Sequence, residues 1–334
     1  MRLLWALFRK GGRIKRELTL IRLGVDLMGS DSAPETLINT FEELISRPSL
    51  KLTLFGLSEY KALSPFEYVE TAESVAMDDH PLHALRRKQK ASLFEGLRSL
   101  KRGKIDAFIS PGNTGALVMG AKRILGNLPG ILRSALLARM PTKGEPLVVL
   151  DVGANVQVRA RHLVQFALLG TAFSKVHGVQ RPRVGLLNIG SEAMKGTSEL
   201  RLAYQELKNK KDAPFHFVGN IEGRSVFDGD VHVLITDGFT GNVFLKTAEG
   251  IASLILDCFE TLLPLEEYKK LKPRIGDLSG HLHYAEYPGA LLAGVQGIVI
   301  KCHGYSTPKA FLKAVLGAEL LVRENFIQRI EKQI

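Results

Sequence analysis

The stretch that decides the fold is VHVLITDGFTGNVFLKTAEG, residues 231–250. Its first six residues are rich in β-branched side chains and predict a short buried strand. The polar turn DGFTGN follows, where Gly238 and Gly241 can adopt positive φ and Asn242 can cap a helix. Helical spacing then begins, and the candidate inward positions are Val243, Leu245, Ala248 and Ile251. The stretch predicts either an ordinary strand-to-helix turn or an anion site, where free N–H groups and the helix dipole face one point.

The same order of strand, glycine-rich turn and helix recurs along the chain. The turns read MGSD at 28–31, PGNTG at 111–115, DVGAN at 151–155, IGSEAMKGTS at 189–198 and DGFTGN at 237–242. Strands that alternate with helices predict an α/β protein with a largely parallel sheet covered on both faces. Loops at the carboxyl ends of parallel strands share one edge, where ligands bind. We therefore expect all five turns to build one site, whose amides, hydroxyls and Lys195 ammonium suit a phosphate rather than a metal cluster.

Composition limits the classes of protein to consider. The chain has 334 residues, 45% of them apolar, and only two cysteines, which indicates a globular protein in a reducing cytoplasm without a disulfide framework. The formal net charge of +11 favours anionic partners without choosing among nucleic acid, membrane, phosphate and acidic protein. We expect a single α/β domain at 20–334 after a basic extension at 1–19. That extension either lies on an anionic membrane or is a tail outside the fold.

Two further segments carry clustered charge or exposed apolar residues. A predicted helix at 83–97 holds a basic cluster, defined as Arg86, Arg87, Lys88 and Lys90, which is either a solvated face or a landing patch for an acidic partner. A helical tip at about 255–285 contains LLPLEEYKKLKPRI, where we expect two short amphipathic helices broken by prolines. This tip is either a surface hairpin or a surface that faces lipid or a partner.

Other kinds of chemistry find little support in the sequence. It contains no GxxxxGK[ST] phosphate loop, no GxGxxG after the first strand and no GxSxG nucleophile elbow. Cys302 beside His303 is a candidate thiol nucleophile, although adjacent residues seldom form a working pair. His281 and His283 are a candidate metal pair, although two loop histidines are more often only solvated. Nucleic-acid binding lacks both a motif and aromatic residues among the basic ones.

Seven motifs in order resemble the bacterial phosphate acyltransferase family PlsX, from about residue 20 to the C-terminus. They read DLMGSDSAP at 26–34, SPGNTGAL at 110–117, LDVGAN at 150–155, VGLLNIGSEAMKGTSEL at 184–200, FVGNIEGR at 217–224, TDGFTGNVFLKTAEG at 236–250 and GIVIKCHG at 297–304. The resemblance implies that an acyl group passes from acyl carrier protein to inorganic phosphate, which gives acyl phosphate for phospholipid synthesis.

The same resemblance implies a three-layer α/β/α sandwich with a largely parallel sheet, akin to the isocitrate and isopropylmalate dehydrogenase fold. It implies a cytoplasmic homodimer that contacts an anionic membrane peripherally and works with the glycerol-3-phosphate acyltransferase. It implies no cofactor, no metal and no nucleic acid.

By position in these motifs, Lys195 and Asn242 match the residues that we assign to catalysis. Lys195 is expected to bind phosphate and offset developing negative charge, while Asn242 orients phosphate or the thioester oxygen. The implied substrate-binding residues are Asp26, Gly29, Asn113, Thr114, Gly115, Asp151, Asn155, Asp237, Gly238, Thr240, Gly241, His303 and Gly304. Because acyl carrier protein is acidic, the basic cluster becomes its expected docking patch. The expected lipid contacts of the tip are Leu262, Leu263 and Leu265.

Some residues depart from the family pattern, and other interpretations stay open. Ser32 replaces a common histidine, Pro111 replaces a small residue, Tyr305 replaces a serine and Ala91 replaces a serine. A phosphate acetyl- or butyryltransferase would use acyl-CoA instead, and dependence on the carrier protein separates the two enzymes. A non-catalytic regulator that binds acyl groups or phosphate would keep the fold without turnover.

Overall fold

In the part of the chain that the structure describes, eleven strands form one continuous sheet with helices on both faces. The computed structural model describes residues 20–264, 266–272, 275 and 289–334. The strands are β1 Ile21–Asp26, β2 Leu50–Leu57, β3 Glu67–Thr71, β4 Ala107–Ser110, β5 Ala135–Met140, β6 Leu147–Leu150, β7 Arg183–Asn188, β8 His216–Glu222, β9 Val233–Ile235, β10 Ala290–Ala293 and β11 Ile298–Lys301. The main helices are α1 Pro34–Phe41, α2 Pro81–Arg87, α3 Ser92–Lys101, α4 Thr114–Ile124, α5 Ala160–Val176, α6 Ser198–Asn209, α7 Gly238–Leu262, α8 Pro308–Arg323 and α9 Phe326–Glu331.

The central strands are mostly apolar because both faces of the sheet are covered, and their polar residues Ser110 and Lys301 stand at the strand ends. On β4, Ala107 and Ile109 pack into the core on one face, whereas Phe108 packs into the core on the other. The first core includes Phe311 of α8, and the second includes Phe94 of α3. This three-layer α/β/α arrangement confirms the predicted fold class.

The two halves of the sheet run in opposite directions. The strand order is β3-β2-β1-β4-β11-β10-β5-β6-β9-β7-β8. The block from β3 to β11 is parallel, and so is the block from β6 to β8. Between the blocks, β10 pairs antiparallel with β11 and β5, and β5 pairs antiparallel with β6. An odd number of reversals therefore inverts the second block relative to the first.

The inversion corrects the expectation that five turns share one edge. The sequence pattern predicts neither β5 nor β10 as a strand, because short apolar runs without alternation give little periodic signal. These two strands set the relative direction of the blocks. The carboxyl ends of β1, β4 and β11 consequently lie at one edge of the sheet, and those of β6, β9 and β7 lie at the opposite edge.

Two predicted helices are each broken in the structure. The helix expected at 83–97 is α2 followed by α3, because the backbone leaves the helical region at Lys88, with φ −102° and ψ 49°, and is extended at Ala91. The basic cluster therefore lies at and just beyond the C-terminus of α2, where the helix dipole favours cations. The sequence from 307 to 328 predicts one closing helix, but α8 ends at Arg323 and Asn325 in the left-handed conformation precedes α9.

Candidate active site

The predicted site residues fall on two opposite edges of the sheet. We call them the Lys195 edge, at the carboxyl ends of β6, β9 and β7, and the Asp26 edge, at the carboxyl ends of β1, β4 and β11. The Lys195 edge holds Lys195, Asn242, Asp151, Asn155, Asp237, Gly238, Thr240 and Gly241. The Asp26 edge holds Asp26, Gly29, Asn113, Thr114, Gly115, His303 and Gly304.

Helix α7 begins at Gly238 and is capped by Asp237 rather than by Asn242. The Asp237 carboxylate accepts hydrogen bonds from the Thr240 N–H at 2.8 Å and the Thr240 hydroxyl at 2.9 Å. The Gly238 N–H donates to the Asn155 carbonyl at 2.8 Å, and the Gly241 N–H donates to the Asp237 carbonyl at 2.9 Å. Because these first-turn donors are already satisfied and a carboxylate occupies the helix end, the start of α7 is not an open anion site.

The two glycines of DGFTGN permit close packing instead of positive φ, which neither adopts. A Cβ atom on Gly238 would lie 2.6 Å from the Asn155 carbonyl oxygen. A Cβ atom on Gly241 would lie 1.9 Å from the Asp151 carbonyl oxygen. Only glycine therefore lets the first turn of α7 lie directly against the DVGAN turn.

The buried Asp151 carboxylate organises the DVGAN turn. Its Oδ1 accepts from the N–H groups of Leu136 at 3.0 Å, Gly153 at 3.1 Å and Ala154 at 2.9 Å. Its Oδ2 accepts from the Asn155 N–H at 2.7 Å and from Asn155 Nδ2 at 2.8 Å. Burial raises the pKa of Asp151, and these donors oppose that shift. The Asp151 carboxylate is thus fully occupied by hydrogen bonds within the protein. Its predicted direct contact with phosphate stays a prediction that this geometry does not support.

The loop that carries Lys195 is held from beneath by polar side chains. Asn188 Nδ2 donates to the Lys195 carbonyl at 3.1 Å, Asn220 Nδ2 donates to the Glu192 carbonyl at 2.8 Å, and Arg201 donates to the Gly196 carbonyl at 2.6 Å. The Lys195 side chain is exposed, and its ammonium has no hydrogen bond or ion pair with any residue that the structure describes. A fixed backbone therefore presents an unpaired cation to solvent.

Asn242 lies on the same edge, in the first turns of α7. Its side chain is half-buried, and its Cγ is 3.7 Å from the position that a Cβ of Gly153 would take. Within the described ranges the Asn242 amide has no hydrogen-bond partner. The Lys195 ammonium and the Asn242 amide are thus two uncommitted polar groups on neighbouring strand ends, as a ligand site requires.

The Asp26 edge carries a buried row of polar residues that the sequence analysis only partly identifies. Asp26, Ser110 and Lys301 are the aligned last residues of β1, β4 and β11, and all three are buried. The Ser110 hydroxyl donates to Asp26 Oδ2 at 2.8 Å, and Lys301 Nζ donates to the Pro111 carbonyl at 3.0 Å and to the Cys302 carbonyl. Lys301, Asn188 and Asn220 were not among the predicted site residues. Each is a polar residue at or near the end of a strand and lies within one of the seven motifs, and this pattern could have identified them from the sequence.

Burial dominates the acid–base properties of this row. It raises the pKa of Asp26 to about 6, despite hydrogen bonds from Met28 and Ser110 and the nearby charge of Lys301. It lowers the pKa of Lys301 to about 8. It also raises the pKa of the Cys302 thiol to about 12, so the candidate thiol nucleophile beside His303 is not supported.

Three loops pack together over this row. Gly29 has φ +86°, and a Cβ atom there would lie 2.7 Å from the Gly112 Cα. The Gly304 carbonyl accepts from the Asp31 N–H at 2.7 Å and from the Ser30 hydroxyl at 3.2 Å. Close backbone approach explains the small residues of these loops without requiring a ligand.

Asn113 is committed to structure in the same region. Its Oδ1 caps α4 by accepting from the Ala116 N–H at 3.0 Å, and its Nδ2 donates to the carbonyls of Met77 and Asp79, both at 3.0 Å. The neighbouring Thr114 hydroxyl, in contrast, has no hydrogen bond within the described ranges. Of these two predicted substrate-binding residues, Asn113 is the cap of α4 and the Thr114 hydroxyl is available to donate.

Helix α7 connects the two edges through an ion pair. Glu249, three turns into the helix, lies 3.4 Å from His303 Nε2 and accepts from the Tyr305 hydroxyl at 2.9 Å. Burial would raise the pKa of Glu249, but the contacts with His303 and Tyr305 and the nearby charge of Lys246 together hold that pKa below its usual range. His303 is therefore placed to tie α7 to the Asp26 edge.

The basic cluster divides into paired and unpaired cations. Lys88 Nζ lies 2.5 Å from Asp79 Oδ2 and 3.2 Å from the Ser74 carbonyl. The side chains of Arg86, Arg87 and Lys90 are exposed, and none of them has a hydrogen bond or ion pair among the described residues. Three of the four predicted docking residues are therefore available to an acidic partner.

Part of the predicted tip lies within the structure. Leu262 is exposed at the end of α7, and Leu263 is half-buried, whereas Leu265 and residues 1–19 lie outside the described residues. Over the part of the chain that is described, no helix is long and apolar enough to cross a membrane. In the same residues no three His, Cys, Asp or Glu side chains are grouped to hold a metal ion.

Comparison with known proteins identifies the family. The family model described as "Fatty acid synthesis protein" matches residues 21–329. The chain belongs to this family. It is 40% identical over 320 residues to the "Phosphate acyltransferase" of Thermotoga neapolitana, which covers 94% of this chain and 97% of the relative. It is 38% identical over 319 residues to the protein of the same name from Staphylococcus epidermidis, with 92% and 98% covered. Membership of this family makes the chain an acyltransferase enzyme.

Solved structures with low sequence identity share its fold. A phosphotransacetylase from Streptococcus pyogenes has a TM-score of 0.61 at 16% identity and covers 96% of this chain and 98% of its own. A 4-hydroxythreonine-4-phosphate dehydrogenase from Klebsiella pneumoniae has a TM-score of 0.53 at 11% identity, with 90% and 99% covered. The fatty acid synthesis protein family therefore shares its architecture with dehydrogenases as well as acyltransferases.

Proposed function

We propose that this enzyme transfers a fatty acyl group from the thioester of acyl carrier protein to inorganic phosphate, and that the acyl phosphate serves phospholipid synthesis. The observation that carries the proposal is the Lys195 edge, where an exposed, unpaired ammonium and an uncommitted Asn242 amide lie on adjacent strand ends of a rigid scaffold. The names of the curated relatives, "Phosphate acyltransferase", support the same reaction.

The reaction needs positioning more than covalent catalysis by the protein. A phosphate oxygen attacks the thioester carbonyl carbon, a C–O bond forms, the C–S bond breaks, and the departing thiolate takes up a proton. We assign Lys195 to hold phosphate and to offset the charge of the carbonyl oxygen as it becomes negative. Holding the two reactants together removes much of the entropic part of the barrier.

Asn242 is assigned an orienting role. Its amide offers both a donor and an acceptor, so it can donate to the developing oxyanion or to phosphate. The side chain lies beside the DVGAN turn, with Cγ 3.7 Å from the position that a Cβ of Gly153 would take, which is an ordinary van der Waals distance. Orientation by a neutral group leaves the charge of the site to Lys195.

The proposal is tested by detecting acyl phosphate by mass spectrometry after mixing the protein, long-chain acyl carrier protein and phosphate. We expect phosphate-dependent product from the wild type and a loss of at least about 100-fold in Lys195→Ala, the size of effect reported for removing one stabilising group from an oxyanion site. Lys313→Ala, which removes an exposed lysine of α8, is the matched control. Product from acyl-CoA but not from carrier protein would favour a phosphate acetyl- or butyryltransferase instead, and no product from either would favour a non-catalytic binding protein.

We also propose that Arg86, Arg87 and Lys90 dock the acidic carrier protein. Lys88 of the cluster pairs with Asp79, whose carbonyl accepts from Asn113 Nδ2, so the cluster borders the Asp26 edge. A carrier docked there has to present its thioester across the sheet at the Lys195 edge. The double variant Arg86→Glu with Arg87→Glu should have a higher KM for the carrier substrate, and that KM should depend less on salt concentration than the wild-type value does. Lys122→Glu with Arg123→Glu, at the far end of α4, is the matched control, and an equal change in both double variants would refute this docking surface.

A homodimer and peripheral membrane contact are proposed from the apolar end of α7. Ile251, Leu254, Ile255 and Leu262 are all exposed, which makes this part of the helix a candidate for burial against a second copy or a bilayer. Light scattering of the purified protein tests for the homodimer. Flotation with anionic vesicles tests for membrane binding. If binding persists in the double variant Leu262→Asp with Leu263→Asp, the tip is not the membrane contact. Coupling to the glycerol-3-phosphate acyltransferase is proposed on the same membrane contact, and co-flotation of the two proteins tests it.

A further inference from the structure

The Lys195 edge carries a second cation, Arg133, which the sequence analysis does not identify. Arg133 precedes β5, and because β5 pairs antiparallel with β6, the start of β5 lies beside the end of β6 at this edge. The Arg133 side chain is exposed, and no carboxylate in the described part of the chain lies within ion-pairing distance of it. An exposed arginine is usually only solvated, so its surroundings decide whether it has a further role.

The backbone that leads to this arginine is pinned, although it lies between α4 and β5. Asn127 Nδ2 donates to the carbonyls of Ile131 at 3.0 Å and Leu132 at 3.2 Å. From α5, Gln165 Oε1 accepts from the Leu132 N–H at 3.0 Å, and Gln165 Nε2 donates to the Gly130 carbonyl at 2.7 Å. Two side chains therefore hold four backbone groups directly before the arginine, which fixes where its side chain begins.

The guanidinium itself is held by the DVGAN turn. Arg133 Nη1 donates to Asn155 Oδ1 at 3.2 Å and to the Gln157 carbonyl at 3.4 Å. Asn155 is buried, and its Nδ2 donates to the Ser134 carbonyl and to Asp151 Oδ2, both at 2.8 Å. Its amide thus holds both the backbone after Arg133 and the Arg133 side chain. This geometry makes Asn155 a residue that positions Arg133, whereas its predicted contact with substrate stays a prediction.

Most of the hydrogen-bond donors of the guanidinium remain available. Among the described residues only Nη1 has acceptors, and the Nε–H and the Nη2 hydrogens of Arg133 donate to none of them. These N–H groups form the planar fork that binds two oxygens of a phosphate or carboxylate in parallel. A fork that is fixed at one nitrogen, exposed and without an acidic partner is suited to bind an anion.

The position of Arg133 in the sheet places this fork near the two uncommitted polar groups. The strand order at the Lys195 edge is β5, β6, β9 and β7, so the DVGAN turn and the start of α7 lie between Arg133 and Lys195. The Gly238 N–H donates to the Asn155 carbonyl at 2.8 Å, which joins the turn that holds Arg133 to the helix that carries Asn242. Two cations therefore flank the segment with the Asn242 amide.

We infer that Arg133 is a second phosphate-binding residue of the Lys195 edge and holds the acceptor phosphate by two parallel hydrogen bonds; this inference rests on the proposed function. A phosphate group carries more than one negative charge at neutral pH, and Lys195 supplies one positive charge. Arg133 supplies another. A guanidinium also orients the oxygens that it binds, which an ammonium, as a point charge, does not.

The test is steady-state kinetics of the full-length protein with each substrate varied in turn. Arg133→Ala should raise KM for phosphate by about 10-fold or more, because charge-assisted hydrogen bonds are lost, while KM for the acyl carrier protein changes little. Arg133→Lys keeps the charge and loses the fork, so it should recover little of the phosphate affinity.

Arg161→Ala is the matched control. Arg161 is exposed in the first turn of α5, and its side chain has no hydrogen bond or ion pair among the described residues. Burial and then the charges of Arg133 and Arg161 lower the pKa of His162, which places both arginines near the same side chain. The control therefore removes the same charge from the same region without changing the fork, and KM for phosphate should stay the same.

Phosphate binding is also measured without turnover, as the rise in melting temperature that phosphate produces over chloride at equal ionic strength. The wild type and Arg161→Ala should show this rise, and Arg133→Ala should lose most of it. The melting temperatures in chloride report whether each variant is folded.

The possible results separate the inference from the proposed function. An equal rise in all three proteins, no rise in the wild type, or an unchanged KM for phosphate in Arg133→Ala would overturn the inference. Full recovery in Arg133→Lys would refute the fork, and a raised KM for the carrier protein alone would assign Arg133 to docking instead. A rise that depends on Arg133, without acyl phosphate from any donor, would keep the phosphate site and refute the proposed reaction.

Discussion

Replacing Asp151 with alanine should destabilise the protein strongly while removing no charge from its surface. The substitution leaves five donors without an acceptor. Water reaches three of them least: the N–H groups of Leu136 and Asn155, and one Asn155 Nδ2 hydrogen. At about 1–3 kcal/mol for each buried unsatisfied donor, these three amount to about 3–9 kcal/mol. Burial of the carboxylate is itself unfavourable, which is why its pKa is raised, and its removal offsets part of that cost. We therefore expect the free energy of unfolding to fall by about 3–5 kcal/mol in total.

The assay is urea unfolding at pH 7, read as the shift of the midpoint at unchanged slope. Asp237→Ala is the matched control, since it removes a carboxylate that caps α7 at the protein surface and should cost about 1 kcal/mol. Amide hydrogen exchange at Leu136 and Asn155 should accelerate in Asp151→Ala and not in the control. A loss no larger than that of Asp237→Ala would show that water satisfies the donors, and would refute the account of the DVGAN turn.

Two further predictions concern α7 and the Asp26 edge. Gly241→Ala should destabilise the protein by several kcal/mol, because its Cβ would meet the Asp151 carbonyl oxygen at 1.9 Å. Gly250→Ala in the same helix, where no atom lies within 4 Å of the new Cβ, should stabilise the protein by up to about 1 kcal/mol. Similar shifts of the melting temperature in the two variants would contradict this prediction. For Asp26, burial raises the folded pKa from 3.8 to about 6, so the ionised form is disfavoured in the folded state and stability falls as pH rises between those values. Asp26→Asn should therefore raise the free energy of unfolding, relative to the wild type, by roughly 3 kcal/mol more at pH 7 than below pH 4. An equal increase at both pH values would exclude the raised pKa.

Local sequence patterns account for most of the elements and for the choice of Lys195 and Asn242 as the candidate catalytic pair. Short apolar runs mark β1, β4, β6, β7 and β9. The glycine-rich turns after β7 and β9 hold Lys195 and Asn242, which the structure brings to one edge. The cap of α7 was predicted five residues too late, because Asn242 and Asp237 are both good cap residues and only packing against Asn155 selects the earlier one.

The sequence by itself determined the alternation of strands and helices and the family. The tertiary structure alone decided that these turns form two separate groups, since two short strands pair antiparallel between the parallel blocks and invert the second one. It also decided which polar side chains are already bonded. Asp151 and Asn113 bind distant backbone groups, the Leu136 N–H and the Met77 carbonyl, besides nearby ones, whereas Lys195 and Asn242 remain available. Strand direction and hydrogen-bond partners depend on contacts between distant residues, which a local pattern of residue types does not contain.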